Sequence, residues 1–151
     1  MTIPVIIPFY KDKAQLDKCL LYLQSQTVSS ELDIFIRDNS IDNIYYTAAI
    51  NEGISKYLDC SRVRYLLILT QDMYLHQKAI EELVGFMESS SKCGIACPIQ
   101  IFSRDPDRVI WAGSLDAFPA GVHKHGRLND FLEPSETPWA SGACMLLRIK
   151  M

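Results

Sequence analysis

Apolar positions along the chain alternate between two kinds of pattern. Residues 3–8 form a short continuous apolar run, as expected for a strand buried on both faces. Asp12 and Gln15 then read as a capping box, with Asp12 as the cap and Gln15 reaching back. Leu16, Cys19, Leu20 and Leu23 follow on one helical face. Residues 32–37 predict a second strand, and residues 48–58 a helix with Ile50, Ile54, Tyr57 and Leu58 toward the core. Residues 63–69 make a third strand, the most apolar in the chain. Residues 77–88 form an amphipathic helix through Ile80, Leu83, Val84 and Met87, and residues 95–101 predict a fourth strand. Strand and helix in strict alternation predict an α/β fold, a mostly parallel sheet flanked by helices with its strand carboxyl ends on one edge.

From residue 102 to 138 the pattern breaks repeatedly, at Pro106, Pro119, Pro134 and Pro138 and at Gly113, Gly121 and Gly126. Long loop-rich excursions inside a compact domain are uncommon and often functional. A short strand is expected near residues 109–112, and Arg104, Asp105, Asp107 and Arg108 read as a charged turn. An apolar strand over residues 143–149 restores the order just before Met151. The expectation is one domain over residues 1–151, truncated at its C-terminus, with that last strand unpaired and prone to self-association.

Composition narrows the function classes. A chain of 151 residues, 48% hydrophobic and 22% charged, belongs with globular rather than disordered sequences. A formal net charge of −3 argues against a nucleic-acid partner held by bulk positive charge. The cysteine count of 5 is odd and contains no C-x-x-C pair, so free thiols in a reducing, cytoplasmic compartment are expected. No run is long enough to span a bilayer, leaving a peripheral position at the inner face of the membrane as the alternative.

Ligands of open α/β sheets bind beyond the strand carboxyl ends, so the residues following each strand are the candidates. These are Pro8 to Asp12, then Asp38, Asn39, Ser40 and Asp42, then Thr70, Gln71 and Asp72. Asp38 and Asp72 should converge, either to hydrogen-bond a nucleoside or to hold a divalent cation against a diphosphate. The plainer alternative makes both residues turn formers or helix caps. No glycine-rich phosphate loop, G-x-S-x-G elbow or H-E-x-x-H pair occurs. His123 and His125 around Lys124 could meet a metal or a phosphate, or simply be solvated. Trp111 reads as a core residue or a loop anchor rather than a ligand platform.

The run Val5-Ile6-Ile7-Pro8-Phe9-Tyr10-Lys11, the helix ending Ser25-Gln26-Thr27, and Arg37-Asp38-Asn39-Ser40 with Asp42 resemble the opening of a family 2 glycosyltransferase. Residues 48–54 resemble that family's N-x-G helix, and the strand ending Thr70-Gln71-Asp72 its DxD-type motif. Trp139-Ala140-Ser141-Gly142-Ala143 resembles the W-x-S-G-A strand of the rhamnosyltransferase-like branch. The resemblance implies a GT-A type, Rossmann-like fold and an inverting transfer from a nucleotide-sugar donor to a glycan or lipid-linked acceptor, as in polysaccharide biosynthesis. It also implies Mg²⁺ or Mn²⁺.

On the same grounds Pro8, Tyr10, Asp38, Asn51 and Asp72 would line the donor, Asp72 also meeting the metal. Trp139, Ser141 and Gly142 would border the sugar and acceptor. Thr70 stands where the first acid of DxD would be, leaving Asp72 as the metal residue. The family's catalytic base lies beyond the W-x-S-G-A strand, so no catalytic base is assigned and the 151-residue chain is expected to be inactive alone. A sugar-phosphate nucleotidyltransferase and a non-catalytic nucleotide- or partner-binding remnant are the alternative readings.

Overall fold

The computed structural model describes residues 1–117 and 120–149. Pro119 and Met151, which enter the sequence reading above, lie outside them. The chain divides into two compact units, Met1–Ala96 with Gly142–Met151, and Cys97–Ser141.

The first unit is the α/β fold expected. Its elements are β1 (Ile3–Phe9), α1 (Lys13–Gln24), β2 (Leu32–Asp38), α2 (Tyr45–Ser55), β3 (Tyr65–Leu69), α3 (Ala79–Ser89) and β4 (Ile95–Ala96). Of the remaining strands, β5 (Gln100–Phe102), β6 (Asp105–Trp111), β7 (Ser114–Leu115), β8 (Val122–His123) and β9 (Gly126–Arg127) belong to the second unit. The final strand, β10 (Cys144–Arg148), returns to the first. The main sheet has the order β2-β1-β3-β10-β4.

Strand alternation divides the core. Ile3, Val5, Ile7, Tyr65, Leu67 and Leu69 pack with Leu16, Cys19 and Leu23 of α1 and Ile80, Leu83 and Met87 of α3. Ile6, Leu66 and Ile68 face the other way, against Ile50 of α2. Both sheet faces are therefore covered, which is why β1 and β3 read as unbroken apolar runs. Gly53 makes the second face possible: a Cβ there would sit 2.6 Å from Ile6 Cγ2. The glycine of the N-x-G helix thus serves close helix–sheet packing. Gln26, 3% exposed, donates from Nε2 to the carbonyl of His76 at 2.9 Å and accepts from the amide of Ile80 at 3.3 Å, joining the end of α1 to the start of α3.

Five expectations are corrected. β10 runs antiparallel to both β3 and β4, so its amino end, not its carboxyl end, shares the edge where β1, β2 and β3 finish. It is interior and paired on both sides, so the unpaired edge expected there is absent; the sheet ends instead at β2 and the two-residue β4. The strand expected over 95–101 is two strands in different sheets, divided at Pro98, whose nitrogen cannot donate to a ladder. Residues 105–108 are strand rather than turn, because the turn lies at Ser103 and Arg104 between β5 and β6. Leu58, expected in the core, is 50% exposed because α2 ends at Ser55.

In the second unit β5-β6-β9 form an antiparallel sheet and β7-β8 a hairpin. Trp111 is buried and donates from Nε1 to Ser114 Oγ at 3.1 Å, as expected of a core residue.

Candidate functional site

The carboxyl ends of β1, β2 and β3 are sewn together by hydrogen bonds between their loops. The Asn39 amide donates to the Phe9 carbonyl at 2.8 Å, extending the β1–β2 ladder by one step. The Lys11 amide donates to Ser40 Oγ at 2.9 Å. Gln71, the middle residue of Thr70-Gln71-Asp72, accepts the Tyr10 amide on Oε1 at 2.6 Å and donates from Nε2 toward the carbonyls of Tyr10 and Asp12, each at 3.3 Å. Its Nε2 also donates to Gln15 Oε1 at 3.2 Å. Gln15 is therefore turned to Gln71. The helix cap is Asp12 alone, which accepts the Gln15 amide at 3.0 Å.

These ties bring Tyr10, Asp38 and Asp72 to one edge. Tyr10, Asp38 and Asp72 are exposed, and Pro8 is half-buried at the end of β1 in register with Arg37. Asp38 accepts the Ser40 amide at 2.7 Å, the turn-forming use of an aspartate. Ser40, through its side chain first and its backbone second, holds the Asp38 carboxyl below the usual carboxylate range. Asp42 is engaged otherwise: the Arg37 guanidinium donates to its two oxygens at 2.9 and 3.0 Å, and to Glu52 at 3.0 Å. Arg37 accordingly holds the Asp42 carboxyl low. Asp38 and Asp72, like Asp12 in the β1–α1 loop, take part in none of the ion pairs among the described residues.

Two observations mark the edge as more than a folding junction. Asn39 is 5% exposed, and its Oδ1 has no hydrogen-bond partner among the described residues. An unmatched buried acceptor is rare and typically costs about 1–3 kcal/mol. Lys11 and Tyr45 carry the positive φ values of non-glycine residues, 57° and 66°, and both follow strands ending at this edge. Such backbone is uncommon for large side chains and concentrates where ligands are held. Tyr45 is 77% exposed at the head of α2, an aromatic face open to solvent. The sequence places Asn39 and Gln71 among the residues following the strands but gives neither a role of its own, and Tyr45 gives no signal until its φ is known.

The remaining expected residues are dispersed. Asn51 is exposed in the second turn of α2, with its carbonyl accepting Ser55 Oγ. Gly142 lies in the turn before β10, and its carbonyl accepts the Tyr46 hydroxyl. Thr70 donates its amide to the Ala143 carbonyl at 2.9 Å and its hydroxyl to the same oxygen at 3.4 Å, so the residue standing in for the first acid of DxD anchors β10. Trp139 and Ser141 belong to the second unit. There Ser141 Oγ accepts from Gln100 at 2.7 Å, and the Trp139 ring lies 5.2 Å from His123. Gly121 makes the Trp139 seat possible, since a Cβ at that position would lie 2.1 Å from Nε1.

No group of three or more His, Cys, Asp or Glu side chains among the described residues could hold a metal. A cation at this edge would have Asp72 as its protein ligand and would need the rest of its shell from water and phosphate oxygens, a mode Mg²⁺ commonly adopts. Cys19 is a buried thiol pushed up to about 12 by burial and secondarily by Asp72, which makes it inert. No helix among the described residues is long and apolar enough to cross a membrane.

No protein-family model and no curated protein matches the chain. Solved structures do. A197 from STIV aligns with a TM-score of 0.58 at 8% identity, over 98% of this chain and 65% of that one. S. aureus TarS aligns at 0.45 and 16% identity, over 68% of this chain and 24% of that one. The structure of S. aureus TarS 1-349 in complex with UDP aligns at 0.49 and 13% identity, over 99% and 47%. The chain spans less than two thirds of each of these structures. At such identity the likeness to A197 is one of fold.

Proposed function

We propose that the first unit is the donor-binding part of an inverting, family 2 glycosyltransferase of GT-A type, which binds a nucleotide sugar at the joined ends of β1, β2 and β3. The observation carrying this reading is the buried, unmatched Asn39 acceptor at the edge where β1, β2 and β3 end and where Asp38 and Asp72 close or follow their strands. A nucleoside supplies what such an edge lacks: N–H and O–H donors for carboxylate and amide oxygens, and a flat ring for Tyr10 or Tyr45. Asp38 would accept from the base or ribose. Asp72 would hold Mg²⁺ or Mn²⁺ together with the diphosphate, and a bound cation neutralises charge on the leaving group. Pro8 and Asn51 would complete the donor wall. An acceptor hydroxyl, of a glycan or lipid-linked sugar, would then attack the anomeric carbon, with Gly142 of the first unit on the acceptor side.

The test is calorimetric titration of UDP, GDP and dTDP, with Mn²⁺ and with chelator. At least one should bind, more tightly with Mn²⁺. Asp38→Ala should weaken binding by about 1–3 kcal/mol, the scale for a hydrogen bond to a charged group. Asp72→Asn should abolish most of the metal-dependent difference. Equal affinity in Asp38→Ala would return that residue to a turn-forming role.

A further inference from the structure

The second unit contains a cleft of about 590 Å³ lined in part by Phe102, Arg108, Ile110, His125 and Arg127. Its electrostatics are unusual. Arg108 of β6 and Arg127 of β9 are register partners on antiparallel strands. Directly opposed residues project to the same side with Cβ atoms about 4.5–5.5 Å apart, and like charges so placed repel. A sheet built on packing alone has no use for this pair. Local rules are broken in this way chiefly at functional sites.

The surrounding groups leave most of that charge uncancelled. Arg108 stacks on Phe102, 4.7 Å from the ring centroid, and has no carboxylate partner among the described residues. Arg127 reaches Asp105 at 3.7 Å, but both side chains are more than half exposed, and such pairs contribute little. The carboxylate lining the cleft, Asp130, accepts the backbone amide of Arg127 at 2.8 Å. Gly126 is fixed by the same arrangement, because a Cβ there would lie 2.8 Å from Asp130 Oδ2. His125 and His123 stand 5.9 Å apart, and the His123 ring lies tilted against Trp139 at 5.2 Å, so imidazole N–H donors border the cleft on a row of ring contacts. Guanidinium groups from two paired strands line this cleft, and their charge favours an anion over a cation.

We propose that this cleft binds the phosphate ester of a small organic molecule, the phosphate lying between Arg108 and Arg127. Planar guanidinium groups donate paired hydrogen bonds to phosphate oxygens. The cleft is far larger than a phosphate, and Phe102 and Ile110 offer apolar surface to the organic part. This site stands apart from the nucleotide reading, because all its residues belong to the second unit.

Glucose 6-phosphate, orthophosphate and glucose serve as probes on the full chain, at ionic strength matched with chloride. Glucose 6-phosphate should raise the melting temperature and bind by calorimetry at least as tightly as orthophosphate, and glucose should do neither. Arg127→Gln alone should keep or raise the melting temperature without phosphate, because it removes the repulsion. Arg108→Gln with Arg127→Gln should weaken glucose 6-phosphate at least roughly tenfold, the scale of losing charge-assisted hydrogen bonds. Asp38→Ala should leave that affinity unchanged, which separates this site from the nucleotide edge. A response to chloride alone, a response to orthophosphate but not the ester, or undiminished binding in the double variant would overturn the proposal.

Discussion

Ser40 shows how one side chain can serve both folding and charge. Its hydroxyl accepts the Lys11 amide and its own amide donates to Asp38, so it links two loops while stabilising a carboxylate. Ser40→Ala should let the Asp38 midpoint rise toward the usual range, which a ¹³C carboxyl titration would follow; a midpoint that stays low would mean the backbone amide suffices. The sign of the linkage is fixed. A carboxyl depressed by folding adds stability above its unfolded value of about 3.9, and that contribution disappears as pH falls through the lower folded value. The stability difference between Ser40→Ala and the parent should therefore shrink below about pH 4. Gly53 gives a prediction of another kind. Gly53→Ala should destabilise the protein by about 1–3 kcal/mol in urea denaturation, the usual scale of overpacking. In an Ile6→Ala background the same change should be close to neutral, since the colliding atoms are gone.

Among the elements, the β1–α1 loop depends on a residue from another strand. Gln71→Ala would remove the acceptor for the Tyr10 amide and the donor spanning Tyr10, Asp12 and Gln15. Amide exchange at Tyr10 should accelerate while that of β3 stays slow, and nucleotide affinity should fall though Gln71 itself need touch no ligand. Unchanged exchange at Tyr10 would show the loop to be held by Lys11 and Ser40 instead. The elements were largely legible in the sequence where burial was two-sided: β1, β3 and α3 are periodic or continuous because both sheet faces are covered. The head of α2 was not. Tyr45, Tyr46 and Thr47 are poor helix formers, so the pattern begins at Ala48 although the helix begins at Tyr45. The reversal of β10 was also hidden, because an apolar run carries no sign of direction. In the candidate site, Asp38 and Asp72 could be read from their places after strands, whereas Asn39 Oδ1 becomes a candidate only once its burial and lack of a partner are known.

For the molecule as a whole, stability should be graded. β1 and β3 are paired on both sides and packed on both faces, so their amides should exchange slowest. The β7–β8 hairpin has two-residue strands with Leu115 54% and Val122 49% exposed, and should exchange first. Hydrogen exchange read by mass spectrometry would reverse this picture if the hairpin outlasted the sheet. The direction of β10 has a further consequence. β4 leaves the sheet, and β10 enters it, at the same edge, and every strand pairing of the main sheet lies within the first unit. Ala96 is paired with Leu146, so the end of β4 lies beside the start of β10. Residues 97–141 thus leave and rejoin the first unit through two neighbouring strand ends. Replacing them with another segment that joins the same two ends would leave every strand pairing of the main sheet in place, as in a tool whose head is changed on a fixed handle.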